Sequence, residues 1–132
     1  MKEETDYWLK YANENIEAAN LLLENNIYNV CLQNLQQAIE KLLKAILLEE
    51  TDKIKKTHSI QELINLIRGL GINISISDAE IELIDSIYLP SKYPLGIALP
   101  HFQPNDEVCN QCLAICKRVE ESVITTLNET QA

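Results

Sequence analysis

All four prolines of this 132-residue chain, Pro90, Pro94, Pro100 and Pro104, fall within fifteen residues, and its three glycines stand at Gly69, Gly71 and Gly96. Proline and glycine are the strongest interruptions of regular backbone, so everything outside those stretches is free to be helical. The apolar spacing agrees. A first helix is expected from about Thr5 to Asn25, with Trp8, Tyr11, Ala12, Asn15, Ala19, Leu22 and Leu23 inward and Asn25-Asn26 ending it. A second starts at Ile27-Tyr28 and runs to about Glu50, with Cys31, Leu35, Ala38, Leu42, Ala45 and Ile46 inward. Each spans roughly 30–35 Å at 1.5 Å per residue, and so short a turn forces them antiparallel.

Capping signals place the remaining elements. Ser59 and Glu62 stand at capping-box spacing before Ile60, Leu63, Ile64 and Ile67, a run that stops at Gly69. Ser77 and Glu80 repeat the spacing ahead of Ile81, Leu83, Ile84 and Ile87, a helix that Pro90 is expected to close. Between them Ile72, Ile74 and Ile76 alternate with Asn73 and Ser75. Alternation is a strand pattern, but a lone strand has nothing to pair with, so an extended connector laying isoleucines on the core is expected. A last helix begins near Pro104, where Asp106 and Glu107 complement the positive end of its dipole, and Val108, Cys112, Ile115, Cys116, Val119, Val123 and Leu127 line one face. The expectation is an all-α, up-and-down antiparallel bundle of four principal helices plus one shorter, forming a single domain over residues 1–132.

Composition bounds what such a bundle does. The chain is 46% apolar, which excludes disorder, yet its pure apolar runs are only a few residues long (Ala45-Ile46-Leu47-Leu48), so no membrane span is expected. The polar, acidic start Met1-Lys2-Glu3-Glu4 is unlike a secretory signal, and a soluble cytoplasmic protein is expected. Net charge is −9, with Glu3, Glu4, Asp6, Glu14, Glu17 and Glu24 opposed only by Lys2 and Lys10 before residue 30. Bases gather later, at Lys41, Lys44, Lys53, Lys55, Lys56 and Arg68, so an anionic ligand would approach that middle region.

Four cysteines invite a metal, but Cys109, Cys112 and Cys116 lie at i, i+3 and i+7 of one helix. The outer two are about 10 Å apart along the axis, while zinc holds sulfur at about 2.3 Å. They coincide with the apolar stripe and are expected to be buried, reduced thiols, Cys31 included. His58 stands beside the cap Ser59 in a structural position, and His101 stands with Phe102 in the proline-rich segment as a lid or cleft edge. No glycine-rich phosphate loop or metal-spaced cluster is present, so no metal, cofactor or catalytic residue is assigned.

Two segments carry recognition chemistry. In Gln36-Gln37-Ala38-Ile39-Glu40-Lys41-Leu42-Leu43-Lys44-Ala45, the apolar positions face a core. The polar ones share a face on which Glu40 and Lys44 pair across one turn, either as a solvated flank or as the wall of a cleft. Tyr88-Leu89-Pro90-Ser91-Lys92-Tyr93-Pro94 sets two phenols and an ammonium at a helix end. It can stack a planar group and meet an anion, or merely seal the bundle.

Together these segments resemble the HEPN family, the "higher eukaryotes and prokaryotes nucleotide-binding" domain. Trp8 with Ala12 and Ala19, Leu22-Leu23 and Asn26-Ile27-Tyr28 look like its first helix and turn, and Thr57-His58-Ser59-Ile60 with Leu63 like its next element, over residues 5–127 in all. The resemblance implies a homodimeric bundle, often encoded beside a minimal nucleotidyltransferase in a toxin–antitoxin-like pair. Some branches cleave RNA with an arginine followed, four to six residues on, by a histidine. Arg68 and Arg118 have no such histidine, and the step from Lys92 to His101 is longer and starts from lysine, a point charge where the family often has a planar fork. The expected function is therefore a non-catalytic nucleotide- or partner-binding module. Glu40, Lys44, Tyr88, Lys92 and Tyr93 form its cleft and His101 its edge. The alternatives are a ribonuclease toxin with an atypical site of Lys92, His101 and His58, and a purely structural interaction bundle.

Overall fold

The computed structural model describes residues 1–92 and 104–130, apart from the side chains of residues 89–92. Five helices follow one another among the described residues: α1 (Glu3–Glu24), α2 (Tyr28–Thr51), α3 (Ile60–Gly69), α4 (Asp78–Lys92) and α5 (Asp106–Thr130). The architecture is an all-α bundle, as the spacing predicts. None of the helices is long and apolar enough to cross a membrane.

Helix α2 is the axis of the molecule and packs against all four others. From Leu42 to Leu48 every side chain is buried, because helices cover it on more than one side. The turn from α1 to α2 needs a left-handed residue, which Asn26 supplies at φ 60°. It returns the chain antiparallel, so that Lys2 meets the end of α2. There its ammonium donates to the Leu48 and Glu49 carbonyls at 3.0 and 2.9 Å, and to Asp52. A cation at this point answers the negative end of the α2 dipole and fills carbonyls the helix leaves open.

The capping signals are real, with one asymmetry. Ser77 and Glu80 form the full reciprocal box, each side chain accepting from the other's backbone N–H at 3.1 and 2.9 Å. At α3 only half forms: Ser59 Oγ accepts from the Glu62 N–H, while the Ser59 N–H donates to Thr57 Oγ1. The isoleucine connector makes no strand; Ile74 and Ile76 are buried and Ile72 packs against the core.

Three local expectations are corrected. Tyr11 is 50% exposed, and Ile16 takes the inward place, because the buried positions of α1 are Thr5, Ala12, Ile16 and Ala19. That narrow stripe of mostly small residues lets α1 lie close on α2, and Tyr11 sits about 100° round from Ala12. Pro90 does not close α4, whose backbone runs on to Lys92; in a final turn proline removes only one N–H donor. Pro104, expected in the first turn of α5, lies just ahead of it: the helix starts at Asp106 with Asn105 as its cap, whose carboxamide oxygen accepts from the Val108 N–H at 2.9 Å.

Candidate functional site

The polar face of α2 divides according to the direction each residue points. Lys41 turns toward α1, where it donates to Asn15 Oδ1 at 2.6 Å. Gln36, Glu40 and Lys44, each one turn from the next, are buried, with only 1%, 4% and 6% of their surfaces exposed. They are covered, not solvated, and so must satisfy one another. Lys44 Nζ donates to Glu40 Oε2 at 2.9 Å, Gln36 Nε2 to Glu40 Oε1 at 3.3 Å, and Gln37 Nε2 to Gln36 Oε1 at 2.8 Å.

This network reaches the surface through His58. Its Nδ1 lies 3.1 and 3.2 Å from the two Glu40 oxygens. A carboxylate only accepts, so Nδ1 carries the proton and Nε2 points outward. Gln36 Nε2 also donates to the His58 carbonyl at 3.4 Å, fixing the backbone of the same residue. The ring stacks on Tyr88 of α4, with centroids 5.1 Å apart and planes 15° from parallel. Beside this pair a hollow of about 310 Å³ is lined by His58, Ser59, Asp85 and Tyr88.

Asp85 determines what the hollow can accept. Its carboxylate receives the Ile60 N–H at 2.7 Å and the Gln61 N–H at 3.0 Å, the first open donors of α3. A helix N-terminus is a ready anion site, and here a side chain of α4 already fills it. The hollow therefore offers aromatic faces, carboxylate oxygens and an imidazole nitrogen, a lining suited to a planar group with N–H donors.

The structure links Lys44 and Glu40 to Tyr88 through His58, but the two charged residues, expected in the cleft, are buried behind the ring and do not line the hollow. The Lys92 side chain, Tyr93 and His101 lie outside the described residues. Sequence reasoning leaves His58 out of the binding cleft, naming it only for the alternative ribonuclease site, and misses Asp85. His58 reads in sequence as a neighbour of the α3 cap, and only its place between Glu40 and Tyr88 shows what it joins. Asp85 carries no local signal, because its partners are 24 and 25 residues away.

The other reactive groups are otherwise engaged. The four thiols are free and buried. Burial raises Cys31 and pushes Cys109, Cys112 and Cys116 up to about 12. Among the described residues no group of three His, Cys, Asp or Glu can hold a metal ion. Arg118 grips Glu80 with both terminal guanidinium nitrogens, and that hydrogen bonding lowers the Glu80 carboxyl to about 2. Arg68 faces Asp78 at 3.6 Å.

The HEPN domain family model matches residues 5–127. Among solved structures the chain is similar to TT1696 from Thermus thermophilus, with a TM-score of 0.75 and 21% identity, over 94% of this chain and 98% of that one. It is also similar to ST0689, described as an archaeal HEPN homologue, with a TM-score of 0.69 and 22% identity, over 96% and 98% of the two chains. No curated protein matches it.

Proposed function

The chain belongs to the HEPN domain family, and from that premise we propose a dimeric, non-catalytic binding module that takes a nucleotide at the His58–Tyr88 hollow. We further propose that it works beside a minimal nucleotidyltransferase in a toxin–antitoxin-like pair. The observation that carries the ligand half is a solvent-facing ring stack anchored to a buried ion pair. Glu40 and Lys44 act as positioning residues: the lysine neutralises the carboxylate that orients His58. The His58 and Tyr88 rings stack the base. With Asp85 already on α3, the phosphates point away from the start of that helix.

Calorimetric titration with purine and pyrimidine nucleotides tests this. Binding heat is expected, weakened about tenfold or more by Tyr88→Ala, since stacking contributes about 1–3 kcal/mol per base. No heat at millimolar ligand overturns it. Sedimentation with and without the adjacent nucleotidyltransferase tests the partner half, and an unchanged profile removes it.

One observation favours the ribonuclease reading. With Nδ1 committed to Glu40, His58 Nε2 is free to exchange a proton with a substrate hydroxyl. Incubation with transfer and messenger RNA decides it: cleavage lost in His58→Ala supports it, and intact RNA with the unaltered protein rejects it.

A further inference from the structure

The hollow beside the His58–Tyr88 stack is one-sided in what it can hydrogen-bond. Asp85 and Tyr88 are three residues apart on α4, so they share a helix face, with Cβ atoms about 5–6 Å apart. Both line the hollow, together with His58 and Ser59. A planar group laid against the stacked rings can therefore bring one of its edges to the Asp85 carboxylate. That carboxylate is partly exposed, and α3 holds it in place. Its Oδ1 accepts the Ile60 N–H at 2.7 Å and its Oδ2 the Gln61 N–H at 3.0 Å.

Those two bonds use one acceptor site on each oxygen, and a carboxylate has about four. A further site on each oxygen is left, its direction preset by the start of α3. The same bonds consume the Ile60 and Gln61 N–H groups, which are thereby lost to a ligand as donors. With Nδ1 committed to Glu40, the neutral His58 ring offers a lone pair at Nε2. The Ser59 hydroxyl accepts from the Glu62 N–H, and it and the Tyr88 phenol rotate to suit a partner. No lysine or arginine lines the hollow among the described residues. Its fixed polar groups are acceptors, so the ligand's edge must supply the donors.

Nucleobases divide on this property. Adenine and cytosine carry an exocyclic amino group, a donor, where hypoxanthine and uracil carry a carbonyl oxygen, an acceptor. An amino group donates to a carboxylate. A carbonyl oxygen set beside one is repelled, and both groups give up water without gaining a partner. We infer that the hollow selects the amino-bearing bases adenine and cytosine, and that Asp85 is the specificity-determining residue. An open site on its carboxylate accepts from the exocyclic amino group while the stacked rings hold the plane of the base. The inference rests on the nucleotide-binding part of the proposed function and names the bases that satisfy it.

The test is calorimetric titration of the full chain with nucleoside 5′-monophosphates in matched pairs, adenosine against inosine and cytidine against uridine. Each pair shares its sugar, phosphate and ring size and exchanges the amino group for a carbonyl, so stacking and phosphate contacts cancel. The amino-bearing member is expected to bind about tenfold more tightly in both pairs. In Asp85→Asn the carboxamide oxygen can still accept from α3 while its NH₂ turns a donor to the hollow, so the preference is expected to vanish or reverse. Each ratio is read on one protein preparation, and partial unfolding of the variant drops out of it. Purine riboside monophosphate, with hydrogen at the amino position, needs no variant and should fall between the adenosine and inosine compounds. Equal affinities within both pairs overturn the assignment and leave nucleotide binding standing, as does a preference that survives Asp85→Asn unchanged. No heat with any of these compounds overturns both.

Discussion

Glu40 and Lys44 are both charged, both nearly inaccessible and in contact. Their side chains are 5% and 7% exposed, with the ammonium 2.9 Å from the carboxylate. Removing one member of a buried pair leaves the other's charge uncompensated, at about 3–5 kcal/mol, whereas replacing both with apolar groups of similar volume is often near neutral. The structure ranks the two single changes. With Lys44→Met, the carboxylate keeps the Gln36 amide and the His58 ring, so the loss should lie near the lower figure, about 3 kcal/mol. With Glu40→Met, the ammonium loses its one ion-pair partner among the described residues, and Gln36 and His58 each lose an acceptor. That loss should be about 4 kcal/mol.

Glu40→Met/Lys44→Met removes both charges at once. His58 is 53% exposed and can find water, and Gln36 keeps its bond to the His58 carbonyl. The double change should therefore cost about 1–2 kcal/mol, far below the roughly 7 kcal/mol sum of the singles. Urea denaturation followed by far-ultraviolet circular dichroism at constant pH gives each free energy by linear extrapolation. A double variant as unstable as the two singles added together would refute the reasoning. So would a Glu40→Met protein that loses less than about 1 kcal/mol, since that is the size of an exposed pair.

Three further outcomes follow from the same geometry. Asp85→Ala deletes two charge-assisted bonds to the first N–H groups of α3 and should lower stability by about 2 kcal/mol in the same denaturation assay, with Asp85→Asn in between. Arg118 depresses the Glu80 carboxyl from 4.5 to about 2 in the folded protein, so the stability this pair contributes is present in full above pH 4.5 and lost as pH falls toward 2. Partial exposure of both side chains trims it to about 1 kcal/mol, and Glu80→Gln should remove that acid-limb loss from denaturation curves taken across the window. The thiols at Cys109, Cys112 and Cys116, held up to about 12 by burial, should resist Ellman's reagent at mildly alkaline pH in the native protein, with all four cysteines reacting in guanidinium.

Helix positions are legible in the sequence because their signals are local. Proline and glycine mark the breaks, Ser59 and Ser77 announce the starts, and the cysteines of α5 fall on its apolar stripe. The errors at Tyr11 and Pro90 are local as well. A face several residues wide does not reveal how narrow the true contact is, and proline near a helix end does not say which side of the end it occupies. The candidate site is legible only in halves. Glu40 and Lys44 pair across one helical turn, which periodicity shows. That this face is covered depends on the chain after α2 and on α3 and α4 closing over it, which no window on α2 contains. The join through His58 to Tyr88 spans 48 residues of sequence, from Glu40 to Tyr88, and exists only once α2, α3 and α4 have packed.

Stability alone gives no reason for such a join. A chain selected only to fold does better with apolar residues at 40 and 44, because the desolvation of two charges offsets most of their attraction. What the pair supplies is order at the surface. The carboxylate fixes the ring plane and tautomer of an otherwise half-exposed histidine, and the lysine holds that carboxylate in place from the buried side. The ring in turn braces Tyr88, so a stacking platform is rigid before any ligand arrives and less ordering entropy is lost on binding. Stability and binding should therefore separate in Glu40→Met/Lys44→Met. The protein should remain folded yet bind a stacking ligand more weakly than the unaltered chain, and equal affinity in the two would show that His58 needs no anchor.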